Sequence, residues 1–72
     1  MKRDVLSKFG DAVRVNRAAL GISQEELANR AGVHRTYVGM IERGEKNITL
    51  KNIEKFATAL QVPMHKLLNL ES

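Results

Sequence analysis

Cysteine is absent from this 72-residue chain, so neither a disulfide framework nor a thiolate zinc site can hold it together. No apolar run approaches the roughly 20 residues that span a bilayer. The amino terminus, MKRDVLSKFGD, is basic with no apolar stretch behind it and does not read as a signal peptide. The expectation is a cytoplasmic protein with no membrane partner. The two histidines, His34 and His65, have no ligand partners at metal spacing, so neither a metal nor a cofactor is expected. Also missing are a Ser/His/Asp set in a matching context, a glycine-rich phosphate loop and a carboxylate pair in an evident pocket. The chain is short for an enclosed active site. It reads as a non-enzyme without a small-molecule substrate.

What is present is enough for one small fold. At 72 residues, 43% of them apolar, the chain is expected to be a single domain, residues 1–72, with a core of aliphatic packing. Twelve Lys and Arg against eight Asp and Glu leave a net charge of +4. A basic domain suits a polyanion, although many small soluble proteins are equally basic.

The chain is organised around residues 24–42, QEELANRAGVHRTYVGMIE. Leu27, Ala28 and Ala31 share one helical face; Val38 and Ile41 share another, three residues apart. Gly32 between them can take a left-handed conformation and end the first helix sharply, and Val33 offers an apolar anchor at the bend. The second helix, expected over 34–43, turns Val38, Ile41 and the stem of Glu42 inward. Its outward side carries His34, Arg35, Thr36, Gly39, Met40 and Arg43. A fixed helix pair with a donor-rich outer face is what a helix-turn-helix brings to the DNA major groove.

The flanking patterns are helical too. Phe9, Ala12, Val13 and Leu20 mark a first helix over 4–20, capped by Asp4 or Ser7. Ser23-Gln24-Glu25-Glu26 has capping-box spacing, in which the Ser23 hydroxyl accepts from the Glu26 amide and the Glu26 carboxylate reaches back. Gln24 is then left pointing outward. Thr49 caps a fourth helix with a stripe of Leu50, Ile53, Phe56, Ala57 and Leu60, read as core. Pro63 suits the start of a short fifth helix over 64–69, with Leu67 closing the core.

These residues resemble the Cro and phage-repressor superfamily, the XRE family. The resemblance is carried by Ser23-Gln24-Glu25-Glu26-Leu27-Ala28, Ala31-Gly32-Val33, Arg35-Thr36-Tyr37-Val38 and Ile41-Glu42-Arg43-Gly44, and it extends over residues 9–68. It implies an all-α, compact five-helix phage-repressor-like DNA-binding domain, with the helix-turn-helix at about 23–43. It also implies that Arg17 pairs with Glu42; a bidentate pair could lock two helices in register, whereas two solvated charges would leave Glu42 in an apolar seam. It places Gln24 on a phosphate, at the positive end of a helix dipole, although residue type alone gives only a surface glutamine.

Direct readout is expected from Arg35, which can bond both O6 and N7 of a guanine. Thr36 can touch a base edge or a thymine methyl. Met40 can pack on a thymine methyl or fill a gap at the core edge. Tyr37 can place its hydroxyl on a phosphate, cover the core, or do both. Arg43, Lys46 and Asn47, with His34, can hold the phosphate backbone, which positions without reading sequence. Met64, Leu68 and Leu70 leave more apolar surface than a short helix buries alone. The resemblance makes this end, with parts of the fourth helix, a place where two subunits meet.

The implied function is a sequence-specific transcriptional regulator that binds double-stranded DNA as a homodimer, on a partly palindromic operator with half-sites about 34 Å apart. With no room for a ligand-sensing or peptidase domain, control would come from concentration and dimerisation. The length, the run 34–37 and the run 42–50 look similar to the small controller proteins of restriction-modification systems, which activate and repress their own operon. The alternative is an antitoxin that also grips a partner protein. Only Glu71 and Ser72 follow the last apolar residue, which counts against a gripping tail. A DNA-binding domain cut from a longer protein is a further reading.

Overall fold

The computed structural model describes residues 4–71, whose regular elements are five helices. They are α1 Val5–Leu20, α2 Gln24–Ala31, α3 Arg35–Glu42, α4 Leu50–Leu60 and α5 Met64–Leu67.

Local chemistry sets most of the boundaries. Asp4 caps α1, its carboxylate accepting from the Ser7 N–H at 3.0 Å. Ser23 caps α2 by accepting from the Glu26 N–H at 3.0 Å, and Thr49 caps α4 by accepting from the Asn52 N–H at 3.2 Å. Only half of the expected capping box forms. The Glu26 carboxylate turns to Arg30, whose Nε lies at 2.8 Å, because an i,i+4 cation offers it a charge-assisted bond. At the other ends, Gly21 and Gly32 stop α1 and α2 at φ +76° and +71°. A Cβ at either would meet nothing within 4 Å, so the demand there is purely conformational.

The helices close on one core. Val13, Leu27, Val38, Ile41, Phe56 and Leu67 are its largest fully buried side chains, drawn from all five helices. Phe9 and Val13 present one α1 face, and Arg17 extends the same face by a further turn. Ile53, Phe56, Ala57 and Leu60 form the expected α4 stripe, joined by Ala59.

Two expectations fail at the ends of that stripe. Leu50 is 69% exposed. It is the first residue of α4, and helix side chains lean toward the N-terminus, so Leu50 projects past the packed part of the helix. The fifth helix stops at Leu67, not residue 69. Beyond it the chain turns, the Leu70 N–H donates to the Leu68 carbonyl at 3.0 Å, and Leu70 packs back against the core.

Candidate nucleic-acid interface

α3 is held from behind by its C-terminal half. Val38, Ile41 and Glu42 are buried. Glu42 is the single buried charged residue among those described, and three hydrogen bonds converge on its carboxylate. Arg17 Nε donates to Oε2 at 2.7 Å, Arg17 Nη2 donates to Oε1 at 3.1 Å, and Gln24 Nε2 donates to Oε1 at 3.0 Å. The remaining fork of Arg17 donates through Nη1 to the Ile22 carbonyl at 2.9 Å. The Glu42 hydrogen bond outweighs burial and raises the Arg17 pKa further above its ordinary value. Arg17 is therefore a permanent charge. Among the described residues no buried side-chain polar atom is left without a partner.

This network corrects the reading of Gln24. Its side chain bends inward onto Glu42 instead of pointing out, because the buried carboxylate has lone pairs that Arg17 alone does not fill.

The seam with α1 is unusually close. A Cβ on Gly10 would sit 2.5 Å from both the Ile41 and the Glu42 carbonyl oxygens. A Cβ on Gly44 would sit 2.8 Å from Ser7 Oγ. The Ser7–Gly44, Gly10–Ile41/Glu42 and Arg17–Glu42 approaches fasten the end of α3 along α1.

The outer side of α3 begins with His34, Arg35 and Thr36, all exposed. His34 is the cap residue but makes no side-chain cap bond. Met40, one turn on from Thr36, is half-buried. Tyr37 stands to the side. Its ring meets Phe56 edge-on at 6.1 Å, and its hydroxyl oxygen accepts from Asn52 Nδ2 at 3.0 Å. With that lone pair engaged, the hydroxyl proton is available for an outside acceptor.

Gly39 does not lie open on this face as expected; it is buried. Arg43, one turn later, folds back over it, and a Cβ on Gly39 would sit 3.1 Å from Arg43 Nη1. Arg43 Nε also donates to Glu45 Oε2 at 2.9 Å, with both side chains more than half exposed. That bond raises the Arg43 pKa and pulls the Glu45 carboxyl below its ordinary value. Lys46 and Asn47 follow on the exposed loop.

The residues expected at a subunit contact do not form one patch. Met64 lines a shallow depression with Leu50, Lys51 and Glu54. Leu70 lines a different one with Ala12, Val15 and Ala19 along α1. Leu68 is 43% exposed.

Sequence reasoning missed Asn52, Glu45 and Gly10. Asn52 and Gly10 meet their partners 15 and more residues away in the chain, so no local pattern reveals them. For Glu45 there was a signal: an acid directly after a Gly stop, two residues from an Arg.

Comparison with known proteins agrees with this geometry. A family model described as helix-turn-helix matches residues 13–67. A protein named Neisseria hypothetical transcription factor, from Neisseria meningitidis serogroup B, is 45% identical over 67 residues, 93% of this chain and 63% of that protein. The chain thus spans less than two thirds of that relative. Control protein C.SmaI of Serratia marcescens is 42% identical over 65 residues, covering 90% of this chain and 77% of its own. The crystal structure of the restriction-modification controller protein C.AhdI from Aeromonas hydrophila matches at a TM-score of 0.85 and 50% identity, over 86% of this chain and 94% of that one.

Proposed function

The chain belongs to the XRE-type helix-turn-helix family of transcriptional regulators, and from that premise we propose that it controls a restriction-modification operon by binding a partly palindromic operator as a homodimer. The observation that carries this is α3 itself. Arg35 and Thr36 stand exposed on its first turn while its other end is buried and fastened by the Glu42 network. A recognition helix needs that division between a free reading end and a fixed root.

In this reading Arg35 bonds a guanine edge, Thr36 a neighbouring base, and Met40 lies against a thymine methyl. His34, Tyr37, Arg43, Lys46 and Asn47 hold phosphates. Gln24 keeps that role only through the part of its amide not given to Glu42. Leu50, Met64 and Leu68 form the subunit contact, and Leu50 supports it by its exposure. Met64 and Leu70 both pack in part on their own core, so Leu68 and Leu50 carry most of that contact. The chain then acts by occupancy in the cytoplasm, with no catalytic step. Among the described residues no helix is long and apolar enough to cross a membrane. The antitoxin alternative finds no support among the relatives, which are named as transcription factors and control proteins.

The test is selection from a random duplex pool at physiological salt. Enrichment of a two-fold symmetric site is expected, with Arg35→Ala losing about 1–3 kcal/mol on it and relaxing one base position. Binding without enrichment would overturn the reading.

A further inference from the structure

The Arg43–Glu45 pair lies within the surface proposed above to meet DNA, yet an acid there opposes a polyanion. Its placement is not loose. The Glu45 N–H donates to the Met40 carbonyl at 2.9 Å, and the Gly44 N–H donates to the Ile41 carbonyl at 3.0 Å. Those two bonds are a Schellman motif, which Gly44 permits at φ +72°. The motif fixes the Glu45 backbone directly after the helix. Glu45 Oε2 then sits 2.9 Å from Arg43 Nε, and the guanidinium is laid over the side-chain-free Gly39. Holding both groups in one geometry removes much of the entropy cost that weakens exposed ion pairs.

We propose that Glu45 is an internal competitor of DNA for Arg43: it occupies Arg43 in the free protein and yields it to a DNA phosphate only when the recognition helix is seated in register. This rests on the phosphate role given to Arg43 above. On a matching site, base contacts bring a phosphate close enough to displace the carboxylate. On random DNA the protein sits farther off, the internal pair persists, and one cation is withheld from the backbone. Displacing the carboxylate costs the operator complex the full worth of the pair, whereas random DNA loses only the weaker contact that the pair forestalls. Glu45 therefore lowers operator affinity at least as much as non-specific affinity and gives the two complexes different numbers of phosphate contacts.

The experiment measures binding against salt for the selected operator and for a scrambled duplex, using the full chain. The variants are Glu45→Gln, Arg43→Ala and both together. Glu45→Gln should tighten operator binding about two- to five-fold and scrambled-duplex binding by no more than that. It should also steepen the slope of log K against log salt on the scrambled duplex by about one, and leave the operator slope unchanged. In the Arg43→Ala background the same change should do nothing to either slope. A Glu45→Gln slope change that is equal on both duplexes, absent on the scrambled one, or retained without Arg43 overturns the proposal, as does operator binding that Glu45→Gln fails to tighten. Arg43→Ala on the operator is a separate readout: an unchanged slope there would refute the phosphate contact itself, whatever Glu45 does.

Discussion

Arg17→Met removes the guanidinium but keeps an unbranched stem in the α1 seam. What remains is a carboxylate whose side chain is 4% exposed, with Gln24 as its one remaining partner. Stranding a charge at such a site costs about 3–5 kcal/mol. A 72-residue domain has about 4–11 kcal/mol in total. The variant should therefore lie at the edge of folding, with a melting temperature lower by at least about 12 °C. The double variant Arg17→Met/Glu42→Leu separates charge from packing. Replacing a buried pair by apolar groups is neutral or stabilising by about 1–4 kcal/mol. Against this, the Ile22 carbonyl loses its donor at about 1–3 kcal/mol, while half-buried Gln24 can turn to water. The double variant should thus return to within about 2 kcal/mol of the native protein. Urea and thermal unfolding at neutral pH measure all three. An Arg17→Met loss below about 1 kcal/mol would mean that water solvates the pair. A double variant as unstable as the single would mean that packing, and not the stranded charge, sets the loss.

The glycines give a matched contrast. Gly10→Ala drives a methyl to 2.5 Å from two backbone oxygens and should destabilise by about 1–3 kcal/mol or more despite better helix propensity. Gly39→Ala meets only the far end of Arg43 and should stabilise by up to about 1 kcal/mol while loosening Arg43 from the helix, which thermal melts and DNA titrations report separately. In an NMR titration the Glu45 carboxyl should ionise below the ordinary 4.5, and Arg43→Ala should return it to that value. Because the folded value is the lower one, the small stability this pair adds is present above the ordinary pKa and fades as pH falls through the depressed one.

Caps and stops were legible because their partners lie three to five residues away. Ser23, Thr49 and Gly32 each declare themselves by residue type and local spacing, and for α1 the pattern left Asp4 and Ser7 as the two candidates, of which Asp4 caps. The fold class followed from them and from the apolar stripes. The candidate site was only partly legible. Arg35 and Thr36 stand on the exposed turn that their position implied. The inward turn of Gln24 depends on a carboxylate 18 residues away and on its unfilled lone pairs, which no local pattern encodes. Leu50 fits the periodicity of its helix, but periodicity cannot tell where the packing partner ends. Gly39 was read as open because the return of Arg43 across it is a side-chain conformation, not a sequence pattern.

Under the proposed function, the three fastenings between α1 and the end of α3 make that helix a lever arm for the residues on its first turn. Arg35 stands exposed at its first residue, just after the turn from α2, and Glu42 is buried at its other end. Eight residues at 1.5 Å each give an arm of about 12 Å. A 5° error at the clamp then moves the tip by about 1 Å, more than the whole tolerance of a hydrogen bond to a base edge. Stiffness at the Glu42 end thus adds to the packing on α2 in fixing where the first turn lies. If the proposed readout holds, mild substitutions at Ser7 or Gly10, on the side away from Arg35, should blur base discrimination as well as lower stability.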